Sequence, residues 1–207
     1  MKKILILMML IAPIALWRGA GGEAFAQQRF DARVFGGLNM CQVDGDDAGR
    51  YNHPGLRVGI GTSFPLGADD SPWRVAVESA YSQKGSYINS SDGKIALQYI
   101  EIPLMLTYNL ADNRLRLAAG VAPAVLVGAK VTFGGTDSPA QAARYKRMDW
   151  LPLTLAASYR FTNHLAAEVR YQNSLLSIYD GPGPYRIWTS NHGAFNRLLS
   201  FGLAYQL

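Results

Sequence analysis

The chain has 207 residues, of which 49% are hydrophobic, 17% charged and 11% aromatic, and its formal net charge is +5. This length suits one domain of ordinary size, and the composition excludes a disordered or low-complexity chain. The mean hydropathy of +0.00 is too high for a heavily charged soluble domain and too low for a bundle of membrane helices.

The first 26 residues are predicted to be a secretory signal peptide. Lys2 and Lys3 precede an apolar run from Ile4 to Trp17, and a stretch of small residues ends at Ala26. The apolar run is shorter than the roughly 20 residues of a membrane-spanning helix, which favours a cleaved signal over an anchor. Cleavage after Ala26 would leave 27–207 as the mature domain. That domain has 17 basic and 14 acidic residues, so its charge gives little support for nucleic-acid binding.

The mature domain alternates apolar and polar residues with a period of two, which predicts β-strands. In the segment from Gly55 to Leu66, for example, every second residue from Leu56 onward is apolar or Thr, and the others are polar, small or proline. The same pattern occurs in seven further segments: 30–42, 73–84, 95–110, 114–131, 150–161, 165–173 and 198–207. No long stretch keeps helical spacing, so we predict an all-β domain of eight strands.

The connections between these segments alternate between short and long. Three are short, namely Gly67–Pro72, Ala111–Asn113 and Thr162–His164. Four are long, namely Val43–Pro54, Gly85–Lys94, Thr132–Met148 and Ser174–Asn196. This layout predicts an antiparallel up-and-down transmembrane barrel with short periplasmic turns and long extracellular loops. An even-numbered closed sheet also leaves no free edge in the bilayer.

A soluble lipocalin-like barrel would alternate as well, and the position of the charges separates the two architectures. The apolar faces carry no Asp, Glu, Lys or Arg, and their strand-end aromatics fit interfacial girdles. The opposite faces combine Gly, Ala, Ser and Thr with a few Arg and Glu, as expected of a narrow barrel interior in which buried charges are paired. We therefore favour the membrane barrel. Eight residues are predicted to form its interior polar network: Arg57, Arg74, Glu78, Glu101, Arg116, Arg160, Glu168 and Arg170.

Motifs for catalysis or metal binding are weak in this sequence. Ser190-Asn191-His192 and Asp180 share one long connection, but its Gly and Pro content favours a solvated loop over a catalytic site. The run Asp44–Asp47 lacks the spacing of a calcium loop, and the three histidines lie in separate connections. Cys41 has no partner for an intramolecular disulfide. We predict no cofactor and no metal site.

The end of the chain resembles the C-terminal assembly signal of bacterial outer-membrane barrels. Ser200, Gly202, Tyr205 and Leu207 fill its polar, glycine, aromatic and terminal hydrophobic places. The segment from Tyr99 to Tyr108 resembles the central strand of the PorT-like "porin family" barrels of Bacteroidetes. Further resemblances are the Gly36, Gly37 and Asn39 of the first strand, Gln83-Lys84-Gly85, and the closing run 196–200. The resemblance implies an integral outer-membrane barrel that the barrel-assembly machinery inserts.

These observations leave three hypotheses. The first is a non-enzymatic outer-membrane barrel with a plugged interior and a structural role, or a binding role through its long loops toward an external or envelope partner. The second is an outer-membrane enzyme acting on lipid, and the third is a periplasmic lipocalin-like carrier of an apolar ligand. We favour the first, with outer-membrane lipid and the assembly machinery as expected partners.

Overall fold

A computed structural model describes residues 30–44, 51–68, 70–88, 93–110, 114–180 and 193–207. The predicted signal peptide, 1–26, lies outside these residues. No helix within the described ranges is long and apolar enough to cross a bilayer.

The described residues form an antiparallel sheet. Its first half contains β1 (Asp31–Asp44), β2 (His53–Pro65), β3 (Trp73–Ile88), β4 (Gly93–Glu101), β5 (Leu104–Leu110) and β6 (Leu115–Val121). Its second half contains β7 (Ala124–Phe133), β8 (Thr136–Asp137), β9 (Met148–Asp149), β10 (Pro152–Arg160), β11 (Leu165–Ser174) and β12 (Phe195–Gln206). One helical turn, α1 (Pro139–Ala142), lies between β8 and β9.

These segments make eight barrel strands in the described part of the chain. β4 and β5 both pair with β3 and form the fourth barrel strand, while β6 with β7 and β9 with β10 form the fifth and sixth. β12 pairs with β1 over twelve residue pairs and closes the ring. The prediction of an all-β, eight-stranded antiparallel barrel is therefore confirmed.

Prolines interrupt three neighbouring barrel strands at one level. Pro103, Pro123 and Pro152 cannot donate a ladder hydrogen bond, so regular pairing lapses beside them. Their carbonyl groups still accept hydrogen bonds from the adjacent strand, such as Glu78 N to Pro103 O (3.0 Å) and Ala122 N to Pro152 O (2.9 Å). The wall therefore remains hydrogen-bonded across the break.

The outward faces match the predicted lipid face through most of the wall. Apolar side chains such as Leu38, Val58, Leu106 and Leu203 are exposed, while the residues between them along each strand point inward. Trp73 and Tyr108 pack together at the end with the short turns, their ring centroids 4.6 Å apart. This is the periplasmic end, because short turns mark the periplasmic side of such barrels.

The prediction of a long loop over Gly85–Lys94 is wrong. β3 continues to Ile88 and pairs with β4 from Gly93, so the hairpin is much tighter. Gly85 permits this continuation because a Cβ at its position would lie 2.0 Å from the carbonyl oxygen of Ile95. The first residue of the predicted loop is instead the residue that lets two strands approach closely.

The apolar residues of the fourth barrel strand change from the outward face to the inward face along its length, a polarity reversal that the sequence did not predict. From Ile100 toward the periplasm the apolar side chains point outward, as predicted. Toward the extracellular end, Ile95 and Leu97 are buried inside, and Lys94 and Gln98 point outward. A β-bulge between Gln98 and Tyr99 shifts the pairing with β7 at this level. The outer end of this strand is therefore built like the wall of a soluble barrel.

Glycines allow the sharp corners of the narrow barrel. A Cβ at Gly37 on β1 would lie 2.4 Å from the carbonyl oxygen of Phe201 and 2.7 Å from the Cα of Gly202 on β12. Neighbouring Gly36 faces outward, and a Cβ there would meet nothing closer than 3.9 Å. The inward position requires glycine because the two backbones meet there, a requirement that the outward position lacks.

Candidate functional site in the barrel interior

The centre of the barrel holds a network of three arginines and two glutamates. Arg33 from β1, Arg57 from β2 and Arg170 from β11 surround Glu78 from β3 and Glu168 from β11. All five point inward because each occupies the inward parity of its strand. We call this group the central network.

Both glutamates of the central network are shared between arginines. Arg57 Nη2 donates to Glu78 Oε2 at 2.9 Å, Arg170 Nη2 donates to the same oxygen at 3.0 Å, and Arg33 donates to Glu78 Oε1. Glu168 accepts from Arg33 Nη1 at 2.8 Å and from Arg170 Nη2 at 2.9 Å. Glu78 is 0% exposed, so it depends on these arginines to replace water.

An aromatic ring supports the arginines from one side. The guanidinium carbon of Arg57 lies 4.3 Å from the ring centroid of Phe35, and that of Arg33 lies 5.3 Å away. A ring face attracts a guanidinium that has lost its water. Two of the three arginines therefore lie close to an aromatic ring as well as to the carboxylates.

A second buried ion pair lies nearer the extracellular end. Lys84 Nζ from β3 is 2.7 Å from Glu101 Oε1 on β4, and both side chains are 1% exposed. Gln172 Nε2 donates to the same carboxylate at 3.4 Å, and Lys84 Nζ lies 5.0 Å from the ring centroid of Tyr99. This pair forms a separate polar layer above the central network.

Two smaller polar clusters also lie in the interior, one around the neutral Asn39 and one around the carboxyl group of Asp149. Asn39 donates to Ser82 Oγ at 3.1 Å and to the Gln83 carbonyl at 2.9 Å, and it accepts from Ser200. Asp149 accepts from Ser174 and, at 3.4 Å, from Asn196 Nδ2. These clusters link β1, β3, β9, β11 and β12.

The extracellular end of the interior is apolar. Buried residues from β1, β4, β7 and the outer connections form one hydrophobic cluster, which we call the outer cluster: Val43, Ile95, Leu97, Tyr99, Ala124, Val131, Tyr145, Ile178 and Ala194. The third and fourth outer connections are hydrogen-bonded to each other over it, through Lys146 N to Ile178 O (2.8 Å) and Asp180 N to Arg144 O (2.8 Å). The rings of Tyr145 and Tyr179 pack edge to face at 5.2 Å.

The periplasmic end of the interior is basic. Asp31 lies 3.2 Å from Arg74 Nη2 and 3.4 Å from Arg116 Nη2, and Arg116 Nε donates to Asn109 Oδ1 at 3.0 Å. Arg160 Nη2 donates to the Gln206 side chain at 3.0 Å. Asp31 therefore pairs with two arginines at this end.

The eight residues predicted as one interior network all lie inside the barrel, but in three separate groups. Glu78, Glu168, Arg57 and Arg170 belong to the central network. Glu101 belongs to the layer with Lys84, whereas Arg74, Arg116 and Arg160 lie at the periplasmic end. Arg33 and Lys84 are partners that the predicted network omitted, although both occupy the polar faces of the predicted strands.

The catalytic and metal candidates gain no support from the described residues. Ser190-Asn191-His192 and residues 45–47 of the acidic run lie outside the described ranges. Asp180 is described and lies 3.6 Å from Lys146 Nζ on the exposed surface. Within the described ranges, no group of three or more His, Cys, Asp or Glu could hold a metal ion. Cys41 is buried, and its thiol lies 3.4 Å from the Gln83 carbonyl oxygen.

Comparison with known proteins identifies the architecture. The model of the family described as "Outer membrane protein beta-barrel domain" matches residues 25–180. The crystal structure of Ail, the attachment invasion locus protein of Yersinia pestis, is 11% identical and superposes with a TM-score of 0.50, covering 86% of this chain and 98% of that one. Neisserial surface protein A is 14% identical with a TM-score of 0.46, covering 86% and 97%. No curated protein sequence gives a significant match.

Proposed function

This chain belongs to the family of outer membrane protein β-barrel domains, and on that premise we propose that it is a non-enzymatic outer-membrane barrel with an interior closed to solutes. Its role would be structural in the envelope, or it would bind an external or envelope partner through its outer connections. The observation that carries the proposal is the filled interior, in which charged layers and the outer cluster follow one another along the axis.

Two features support closure of the barrel to ions and solutes. The central network joins β1, β2, β3 and β11 through side chains that cross the lumen. Beyond it, the outer cluster places apolar side chains, including the fully buried Leu97 and Ile178, where a hydrated ion would have to pass. Barrels of eight strands have interiors just wide enough for side chains to fill.

Planar-bilayer recording tests the closed interior. We expect no steady conductance from protein whose folded state is verified by heat-modifiable gel migration in the same preparation. Large, steady open currents from folded protein would contradict the proposal. Material that migrates as unfolded serves as the control for currents caused by bilayer damage.

The absence of catalysis is also a proposal, and lipid A chemistry tests it. The second hypothesis requires a nucleophile and base in the loop that contains His192. We expect the acylation pattern of lipid A to be the same with the wild-type protein, the His192→Ala variant and no protein. A change in acylation that the wild type causes and H192A abolishes would establish the enzyme instead.

A binding role through the outer connections has a specific structural basis. The third connection contains α1, and the guanidinium carbon of Arg144, shortly after α1, lies 4.9 Å from the ring centroid of Tyr179 in the fourth connection. Two loops that hold each other in place form a defined surface, as recognition loops on a rigid scaffold do. Replacement of Pro139–Ala142 by a Gly-Ser stretch of equal length should remove a component that copurifies from native membranes, while the barrel remains folded. Retention of that component would argue against this surface.

The proposal also includes export through a cleaved signal peptide and insertion by the barrel-assembly machinery. N-terminal sequencing of the mature protein should begin at Gln27 if the signal is cleaved after Ala26. Deletion of Leu207 should slow insertion if the assembly machinery reads the C-terminal pattern. Both Leu207 and Tyr205 of that pattern are exposed at the end of the strand that closes the ring. Assignment to the PorT-like type of Bacteroidetes remains a prediction from the sequence.

A further inference from the structure

Positive charge accumulates at the periplasmic mouth of the barrel. Five arginines contribute to it, from β1, β3, the turn before β6, β6 and β10: Arg33, Arg74, Arg114, Arg116 and Arg160. Of these, Arg33 is paired with the central network. Asp31 pairs with both Arg74 and Arg116.

Two of these arginines have few acceptors among the described residues. Arg116 donates to Asn109 at 3.0 Å and to Asp31 at 3.4 Å, and Arg160 donates to Gln206 at 3.0 Å. A guanidinium has five N–H donors in a fixed plane, so most of the donors on both residues remain available within this part of the structure. The contrast with the central network is clear, because there two carboxylates stand between three arginines.

These arginines line a common recess. Arg33, Arg114, Arg116 and Arg160 surround it together with His164 and Gln206. Its enclosed volume is about 20 Å³, which is room for about one water-sized group, so the recess can take an oxygen of an anion while the rest of the ligand stays at its open side. Arg114 and His164 are exposed to solvent, so the recess is open to the periplasmic side.

We propose that this recess binds an oxyanion of the phosphate class, either free or as the phosphodiester of an inner-leaflet lipid headgroup. Arginine forks match the oxygens of phosphate, and charge-assisted hydrogen bonds are stronger than neutral ones. The walls are partly buried, which weakens screening by salt and favours a resident counterion. No Asp or Glu is among the described residues that line the recess, so an anion that accepts from Arg116 and Arg160 would supply negative charge there.

NMR titration in micelles of an uncharged maltoside detergent tests the site without any lipid phosphate. Inorganic phosphate should shift the Nε–H resonances of Arg116 and Arg160 saturably, whereas chloride at matched ionic strength should not. The Arg160→Gln variant should raise the apparent dissociation constant about tenfold, as expected for the loss of a hydrogen bond between charged groups. Lys94→Gln, which removes an exposed positive charge at the extracellular end, is the control and should leave binding unchanged.

The source of the anion is decided in nanodiscs. In phosphatidylglycerol discs, resonances that are already shifted and insensitive to added phosphate would identify the lipid headgroup as the ligand. Resonances in those discs that still respond to added phosphate would identify the free anion. Equal effects of chloride and phosphate on the wild type, or no saturable shift in either medium, would overturn the proposal. The chloride comparison uses wild-type protein alone, so it decides even if R160Q fails to fold.

Discussion

Substitution of Glu78 by methionine is the most direct test of the central network. Glu78 is 0% exposed and contacts Arg33, Arg57 and Arg170, so its loss would leave three buried arginines with Glu168 as their remaining carboxylate. Breaking a buried ion pair by removing one partner costs about 3–5 kcal/mol. We expect Glu78→Met to lower the free energy of unfolding by an amount in this range.

The matched control is an exposed ion pair on the same barrel. Asp137 and Lys130 are 3.0 Å apart, but their side chains are 55% and 65% exposed. Hydrogen bonds from Lys130 and Thr132 lower the pKa of Asp137, so the carboxylate is charged at neutral pH. Exposed pairs contribute little to stability because water and salt screen them. Asp137→Ala should therefore change the unfolding free energy far less than E78M.

Removing a charge of each sign should restore much of the loss. The double variant with Glu78→Met and Arg170→Met keeps the salt bridge between Arg33 and Glu168 at 2.8 Å and returns the central network to its original net charge. Replacing a buried pair by apolar residues is often neutral. Equilibrium unfolding in urea, followed by tryptophan fluorescence in lipid vesicles, measures all four proteins. Equal unfolding midpoints for E78M and D137A, or a double variant that is no more stable than E78M, would refute the reasoning.

Three further predictions concern other layers of the barrel. Glu101→Ala should destabilise the barrel by about 3–5 kcal/mol because it leaves the buried Lys84 ammonium without its carboxylate partner. An unchanged unfolding midpoint would contradict this. Gly37→Ala should lower the unfolding midpoint while Gly36→Ala is tolerated, since only the first Cβ would collide with the neighbouring backbone; equal midpoints would contradict the corner assignment. Cys41 should react with a maleimide only after unfolding, and fast labelling of folded protein would show that its burial is wrong.

The architecture was predictable because a membrane wall imposes one simple rule on the sequence. Each strand alternates with a period of two, and a charge is costly at every position that faces lipid. The positions of Arg57, Glu78 and Glu168 therefore followed from parity alone. Pairing did not follow, because parity gives the face of a residue and not its height, so residues from three levels were assigned to one network.

The errors fall where the environment changes along a strand. Ile95 and Leu97 alternate with Lys94 and Gln98 as regularly as the membrane part does, yet their apolar side chains point inward. Periodicity cannot show whether lipid or water lies outside the wall. The loop predicted over Gly85–Lys94 is wrong because a glycine is compatible with either a turn or a close approach of two backbones, and only the pairing of β3 with β4 distinguishes these cases.

The polarity reversal on the fourth barrel strand also determines how deep the barrel can sit. Lys94 on β4 and Lys130 on β7 both point outward at the extracellular end. Sliding the protein inward until either lysine reached the bilayer midplane would cost about 2–4 kcal/mol for each. Sliding it outward would expose the apolar band that begins at Ile100. The two penalties oppose each other, so the wall itself sets the vertical position of the protein and the height at which its outer loops stand above the lipid.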